Sequence, residues 1–113
     1  MQFSVELRPR SQPTQLWLLP DQDLYPVLPD QQQLLPLVSA WLGSFPALSQ
    51  LQTAQGTDWL QWRFSFADQP FMLQFEHYTE SFWVEADTSS AVMLLSELAC
   101  CLQQQPNANQ HCR

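Results

Sequence analysis

The residues with chemistry to offer are few, and most sit late in the chain. Glu76, His77 and Glu85 fall within "QFEHYTESFWVEA", while Cys100, Cys101, His111 and Cys112 gather near the end. A carboxylate beside an imidazole suggests general acid–base work, which needs groups of separated pKa around one reacting atom. On a strand, however, neighbouring side chains point to opposite faces, so Glu76 and His77 cannot share a proton directly. His77 is expected at the rim of the core face as a hydrogen-bonded structural residue. Glu76 and Glu85 fall on one face and could form a shallow acid–base site. The cysteines and His111 are ligand types that zinc accepts, but no C-x-x-C pair is present, and adjacent cysteines on a helix diverge by about 100°. Cys101 is expected in the core and Cys100 near the surface. With Gly43 and Gly56 the only glycines and no lysine anywhere, a phosphate-cradling loop and Schiff-base chemistry are both excluded. No metal, no cofactor and no catalytic residue is predicted.

Composition narrows the partners. The chain has 113 residues, 45% of them hydrophobic, and a net charge of −7 from 11 acidic residues against Arg8, Arg10, Arg63 and Arg113. That length makes one domain with a sufficient core, placed at residues 1–105 with a flexible tail at 106–113. A strongly acidic chain lacks the cationic contacts that a phosphate backbone or an anionic bilayer requires, so neither nucleic acid nor membrane is an expected partner. "MQFSVELRPR" has no apolar leader core. Three cysteines, two of them adjacent, make a poor disulfide framework and suit a reducing cytoplasm.

These residues need elements to position them. Phe3, Val5 and Leu7 alternate with Ser4 and Glu6 as a strand, and "QLWLL" at 15–19 reads as a strand returning from the "RPRSQP" turn. Prolines 20, 26 and 29 mark an extended connection. Asp30 and Gln33 resemble a capping box for a helix with Leu34, Val38, Trp41, Leu42 and Phe45 on one stripe. Pro36 means that this helix either kinks or begins there. Residues 47–57 are polar and carry no assignment. Strands follow at 59–66, 71–78 and 81–86, then a helix at 88–104 introduced by "DTSS". The order ββαβββα predicts an α+β fold, an antiparallel sheet of four to five strands with two helices on one face.

A turn at Thr79–Glu80 sets Glu76 opposite Trp83, and a loop "ADQP" sets Trp59 opposite Tyr78 and Arg63 opposite Gln74. One face then carries Leu60, Trp62, Phe64, Phe66, Phe71, Leu73, Phe75, Phe82 and Val84, the core. The other carries Trp59, Arg63, Glu76, Tyr78, Trp83 and Glu85. Such residues can be ordinary cross-strand pairs on a wet sheet, worth about 0.2–1 kcal/mol each. They can also lie beneath the segment 20–29. Left exposed, a Trp/Tyr patch with polar neighbours has the make-up of a binding hot spot.

The segment 58–86, through Trp59 or Trp62, Glu76, Tyr78, Ser81, Trp83, Val84 and Glu85, resembles the signature of a small family of uncharacterised gammaproteobacterial proteins. The resemblance implies a small bacterial domain without an assigned activity. The expected function is non-enzymatic: a protein-interaction or regulatory module that binds another protein, or a second copy as a homodimer, through Trp59, Tyr78 and Trp83, oriented by Arg63, Glu76 and Glu85. The rival is a homodimeric small-ligand binder or enzyme using Glu76 and Glu85.

Overall fold

The structure, a computed structural model, describes residues 1–104, so the expected tail at 106–113 lies outside the described residues. It is an α+β fold whose one sheet has six antiparallel strands, where four to five were expected, and which carries three helices rather than two. The strands are β1 (Phe3–Arg8), β2 (Gln15–Pro20), β3 (Leu48–Gln55), β4 (Trp59–Phe66), β5 (Gln69–Glu76) and β6 (Ser81–Ala86). Their order in the sheet is β1-β2-β6-β5-β4-β3. The helices are α1 (Gln31–Gly43), α2 (Ser89–Val92) and α3 (Leu95–Gln103).

The extra strand is β3, in the stretch that sequence pattern leaves unassigned. Its residues "LSQLQTAQ" show no alternation because nearly all of them are exposed at the sheet edge. The extra helix comes from a break at Met93–Leu94, which divides the expected helix 88–104 into α2 and α3. Thr88 starts α2 by accepting the Ala91 N–H at 3.0 Å. Asp30 does the same for α1, accepting the Gln33 N–H at 3.0 Å. Pro36 lies inside α1; the helix begins at Gln31 and not at the proline.

Both central hairpins differ from the expected register by two residues. Phe66 closes on Gln69 around the two-residue turn Ala67–Asp68, whose φ angles of 52° and 63° make a mirror-image turn matched to strand twist. Trp59 therefore faces Glu76, and Arg63 faces Met72. Glu76 faces Ser81 across the turn 77–80, and Trp83 faces Gln74. A slip of one residue would exchange the two faces, whereas a slip of two preserves them. The core face is accordingly as expected, with Leu60, Trp62, Phe64, Phe66, Phe71, Leu73, Phe75, Phe82 and Val84 buried. His77 is the exception: it lies exposed on the turn, its ring against Tyr78. It is already part of the turn 77–80, although its N–H still donates to the Asp58 carbonyl at 2.9 Å.

Helix residues Leu34, Val38, Leu42, Ala91, Leu95, Leu98 and Leu102 join the same core as the sheet. All three helices thus cover one face, and among the described residues the other has no helical layer. The Trp62 indole, fully buried, donates to Ser39 Oγ at 3.0 Å, and Ser39 Oγ donates to the Leu35 carbonyl at 2.6 Å. This relay satisfies a buried N–H and pins α1 to β4.

Candidate functional site on the outer sheet face

Alternation along β2 buries Leu16 and Leu18 and turns Trp17 outward. Pairing then sets Trp17 opposite Trp83 on β6. Their rings stack with centroids 5.8 Å apart at 26°, an offset geometry worth about 0.5–1.5 kcal/mol beyond area burial. Each indole N–H is held on its own strand. Trp17 Nε1 donates to Gln15 Oε1 at 3.1 Å, and Trp83 Nε1 donates to Glu85 Oε1 at 2.8 Å. On the far side of Trp17 the Arg8 guanidinium sits 4.5 Å from the ring centroid. Glu6 steadies it through a 3.0 Å ion pair, and Arg8 in turn holds the Glu6 carboxyl below its ordinary value.

Gln15, Trp17, Glu76, Thr79, Ser81, Trp83 and Glu85 line an open groove of about 390 Å³. Of the residues expected to form a site, the structure brings Glu76, Trp83 and Glu85 together here. Trp59, Arg63 and Tyr78 do not line it. The Trp59 ring lies over Gly56, where a Cβ would overlap its Nε1, Cε2 and Cδ1 atoms. Tyr78 is on the turn, 78% exposed. Arg63 Nε donates to Gln61 Oε1 at 3.4 Å and makes no ion pair with Glu76 or Glu85. The register explains this, because Arg63 and Glu85 both face Met72 from opposite sides. Two strand spacings, roughly 9.6 Å, separate them. The segment 20–29 contributes no residue to the groove; it borders a separate hollow with Glu80.

Trp17 is what the sequence pattern does not offer as a site residue. Period two in "QLWLL" assigns it the face opposite Leu16 and Leu18, but only long-range pairing places it beside Trp83.

Glu76 closes the turn that follows it. Its carboxylate accepts the Thr79 hydroxyl at 2.6 Å, the Thr79 N–H at 2.7 Å and the Tyr78 N–H at 3.1 Å. These bonds, the Thr79 hydroxyl first, hold its carboxyl below the ordinary glutamate value. A general acid needs the opposite displacement. Because the folded value is the lower one, ionised Glu76 stabilises the turn above the unfolded value, and that contribution disappears as pH falls through the folded one. The Tyr78 and Thr79 amide resonances are therefore expected to titrate together, with a midpoint below that of an ordinary glutamate. Glu76→Gln should abolish the titration. A midpoint at or above the ordinary value would contradict this arrangement.

Cys100 is half-buried, with Sγ accepting from Gln104 Nε2 at 3.4 Å. Cys101 is equally half-buried and packs against the core, so the two differ less in exposure than expected. His111 and Cys112 lie outside the described residues. No described helix is long and apolar enough to cross a membrane.

Sheet, one-sided helical layer and aromatic groove together define a small α+β domain with one tryptophan-bearing sheet face that no described helix covers. The chain belongs to the family described as protein of unknown function (DUF3630), whose model matches residues 32–103. The match takes in Trp83, Glu76 and Glu85 but stops short of β1 and β2, so Trp17 and Arg8 fall outside it. No curated protein and no solved structure matches the chain.

Proposed function

We propose that this domain is a non-enzymatic interaction module that binds a cationic segment of another protein in the groove at Trp17 and Trp83. The observation that carries this reading is the Trp17–Trp83 stack bordered by Glu76 and Glu85. Arg8 over Trp17 supplies an internal precedent, showing a guanidinium seated on this aromatic row. A partner arginine would take the equivalent place beside Trp83 and meet the carboxylates. Cation–π contacts are worth about 0.5–2 kcal/mol, rising as water is excluded. The net charge of −7 favours such a partner at long range. Trp59, Arg63 and Tyr78 would touch only a partner extending past the groove. The poor disulfide framework of Cys100, Cys101 and Cys112 suits a reducing cytoplasm, and the family resemblance suits a bacterial source.

One observation favours the rival reading: a volume of about 390 Å³ lies within the range of small-ligand sites. A ligand binder would select one compact molecule, whereas an interaction module would grade with the arginine content of a chain.

A peptide array graded in arginine content, with citrulline in the control spots, separates the two. Binding should rise with arginine and vanish with citrulline. Trp83→Ala should weaken the best spot at least tenfold, as expected for an aromatic anchor. Binding indifferent to citrulline, or untouched by Trp83→Ala, would overturn the proposal.

A further inference from the structure

A second surface stands apart from the groove. From Gln31 to Thr57 the chain contains no Asp, Glu, Lys, Arg or His. In the fold this stretch is α1, its connection and β3, and α1 packs against β3. A molecule of net charge −7 therefore has one flank, α1 and β3, whose own residues are not ionisable, with Asp30 and Asp58 bordering it at one end, and that flank includes an open sheet edge.

Natural edges are blunted by charges, by proline, by shortness, by bulges or by a covering element. β1, the opposite edge, carries Glu6 and Arg8 and runs directly into Pro9. β3 has eight residues, no charge and no proline. Its one irregularity is a bulge between Ser49 and Gln52, with Gln50 at φ 56°; beyond it the pairing is regular from Gln52 to Gln55. The Gly56 N–H donates to the Trp59 carbonyl at 2.9 Å. Alternation along an antiparallel ladder then turns Ala54 and Gln52 inward to β4. It leaves the N–H and C=O groups of Thr53 and Gln55 pointing out from the edge.

We infer that β3 is where a second copy of this chain docks, strand against antiparallel strand about a two-fold axis near Ala54. Thr53 of one copy faces Gln55 of the other, and each outward N–H meets a carbonyl. Ala54 meets its own counterpart at a close, non-hydrogen-bonded position, where the small methyl side chain fits. The two six-stranded sheets become one continuous sheet, and α1 of each copy lies beside the seam with Leu37 and Leu51, both more than a third exposed, available to it. A second copy is the occupant because of charge. Approach by other flanks brings carboxylates together, whereas here the first charge inward is Arg63, opposite Gln52 on β4. Across the seam the two arginines are three strand spacings apart and offset by four residues along the strands, roughly 20 Å in all, well beyond the ~8 Å screening length at physiological salt.

Light scattering on the full chain tests this. The wild type should have twice the chain mass. Ala54→Lys sets two ammonium groups against each other at the axis and should halve the mass. Thr53→Pro removes an outward donor without disturbing the bonds to β4, and should also halve the mass while the circular dichroism spectrum of the folded chain stays unchanged. Ser4→Lys on β1 should leave the dimer intact. A wild type that stays monomeric up to its solubility limit overturns the inference. So does a dimer that survives Ala54→Lys, since self-association would then use another face. If Thr53→Pro fails to fold, its N–H faced inward, the edge assignment is overturned, and the site near Ala54 goes with it.

Discussion

Replacing Trp62 by alanine should cost about 3–5 kcal/mol of stability, the usual range for an aromatic removed from a core. Small domains have only about 5–15 kcal/mol in total. The variant should melt far earlier than the wild type, or fail to fold at physiological temperature. The effect has two parts that smaller substitutions separate. Trp62 is fully buried among the sheet and helix side chains, so alanine leaves a cavity that a sheet pinned by hydrogen bonds cannot close. The indole N–H is also half of the relay through Ser39 to the Leu35 carbonyl. Ser39→Ala keeps the ring but strands a buried donor, at about 1–3 kcal/mol. Trp62→Phe removes the donor and part of the ring volume while Ser39 keeps its bond to Leu35. Denaturant titrations should rank Trp62→Ala as the most damaging. A Ser39→Ala variant as stable as the wild type would show that water reaches the indole and that the relay is not what pins α1.

The second large effect is at Gly56. The Trp59 ring occupies the space a Cβ would need there. The same corner is tied to α1 by Gln31 Nε2, which donates to the Gly56 carbonyl at 2.9 Å. Gly56→Ala must displace the indole, and overpacking of this kind costs about 1–3 kcal/mol. Trp59→Ala removes the obstruction, so the double variant should be more stable than the sum of the two single effects implies. A double-mutant cycle by chemical denaturation should give a coupling of about 0.5–3 kcal/mol. Strict additivity would mean that the ring swings away freely and covers nothing. Trp59 on this view is chiefly a cover for a backbone glycine on the β3–β4 hairpin, which is why it lies apart from the groove although it shares a sheet face with Trp83.

The faces of β4, β5 and β6 can be read in the sequence because alternation of large apolar residues with Gln, Arg, Ser and Glu is strong there. Register is a finer property, set by the turns, and two cues misdirect it. Ala67–Asp68 lacks the glycine that normally announces a two-residue mirror-image turn. Pro70 looks like loop yet stands one residue inside β5, opposite Ser65, near the strand end where a missing donor is tolerated. The two-residue displacement that results leaves every face intact but moves Glu76 from Trp83 to Ser81. β3 escapes notice because an exposed edge needs no apolar alternation. Trp17 is visible as an outward residue, but its contact with Trp83 joins positions far apart in sequence, and no local pattern encodes that.

All eleven carboxylates lie outside the stretch 31–57 that forms α1 and β3. The chain is thus electrically lopsided, with its negative charge displaced from the silent flank. A lopsided molecule does not tumble indifferently as it nears a cationic partner; the field turns its charged side forward before contact. Encounter with such a partner would then be pre-oriented, and the association rate should fall with ionic strength more steeply than the dissociation rate rises. Salt, in other words, should act on arrival rather than on departure.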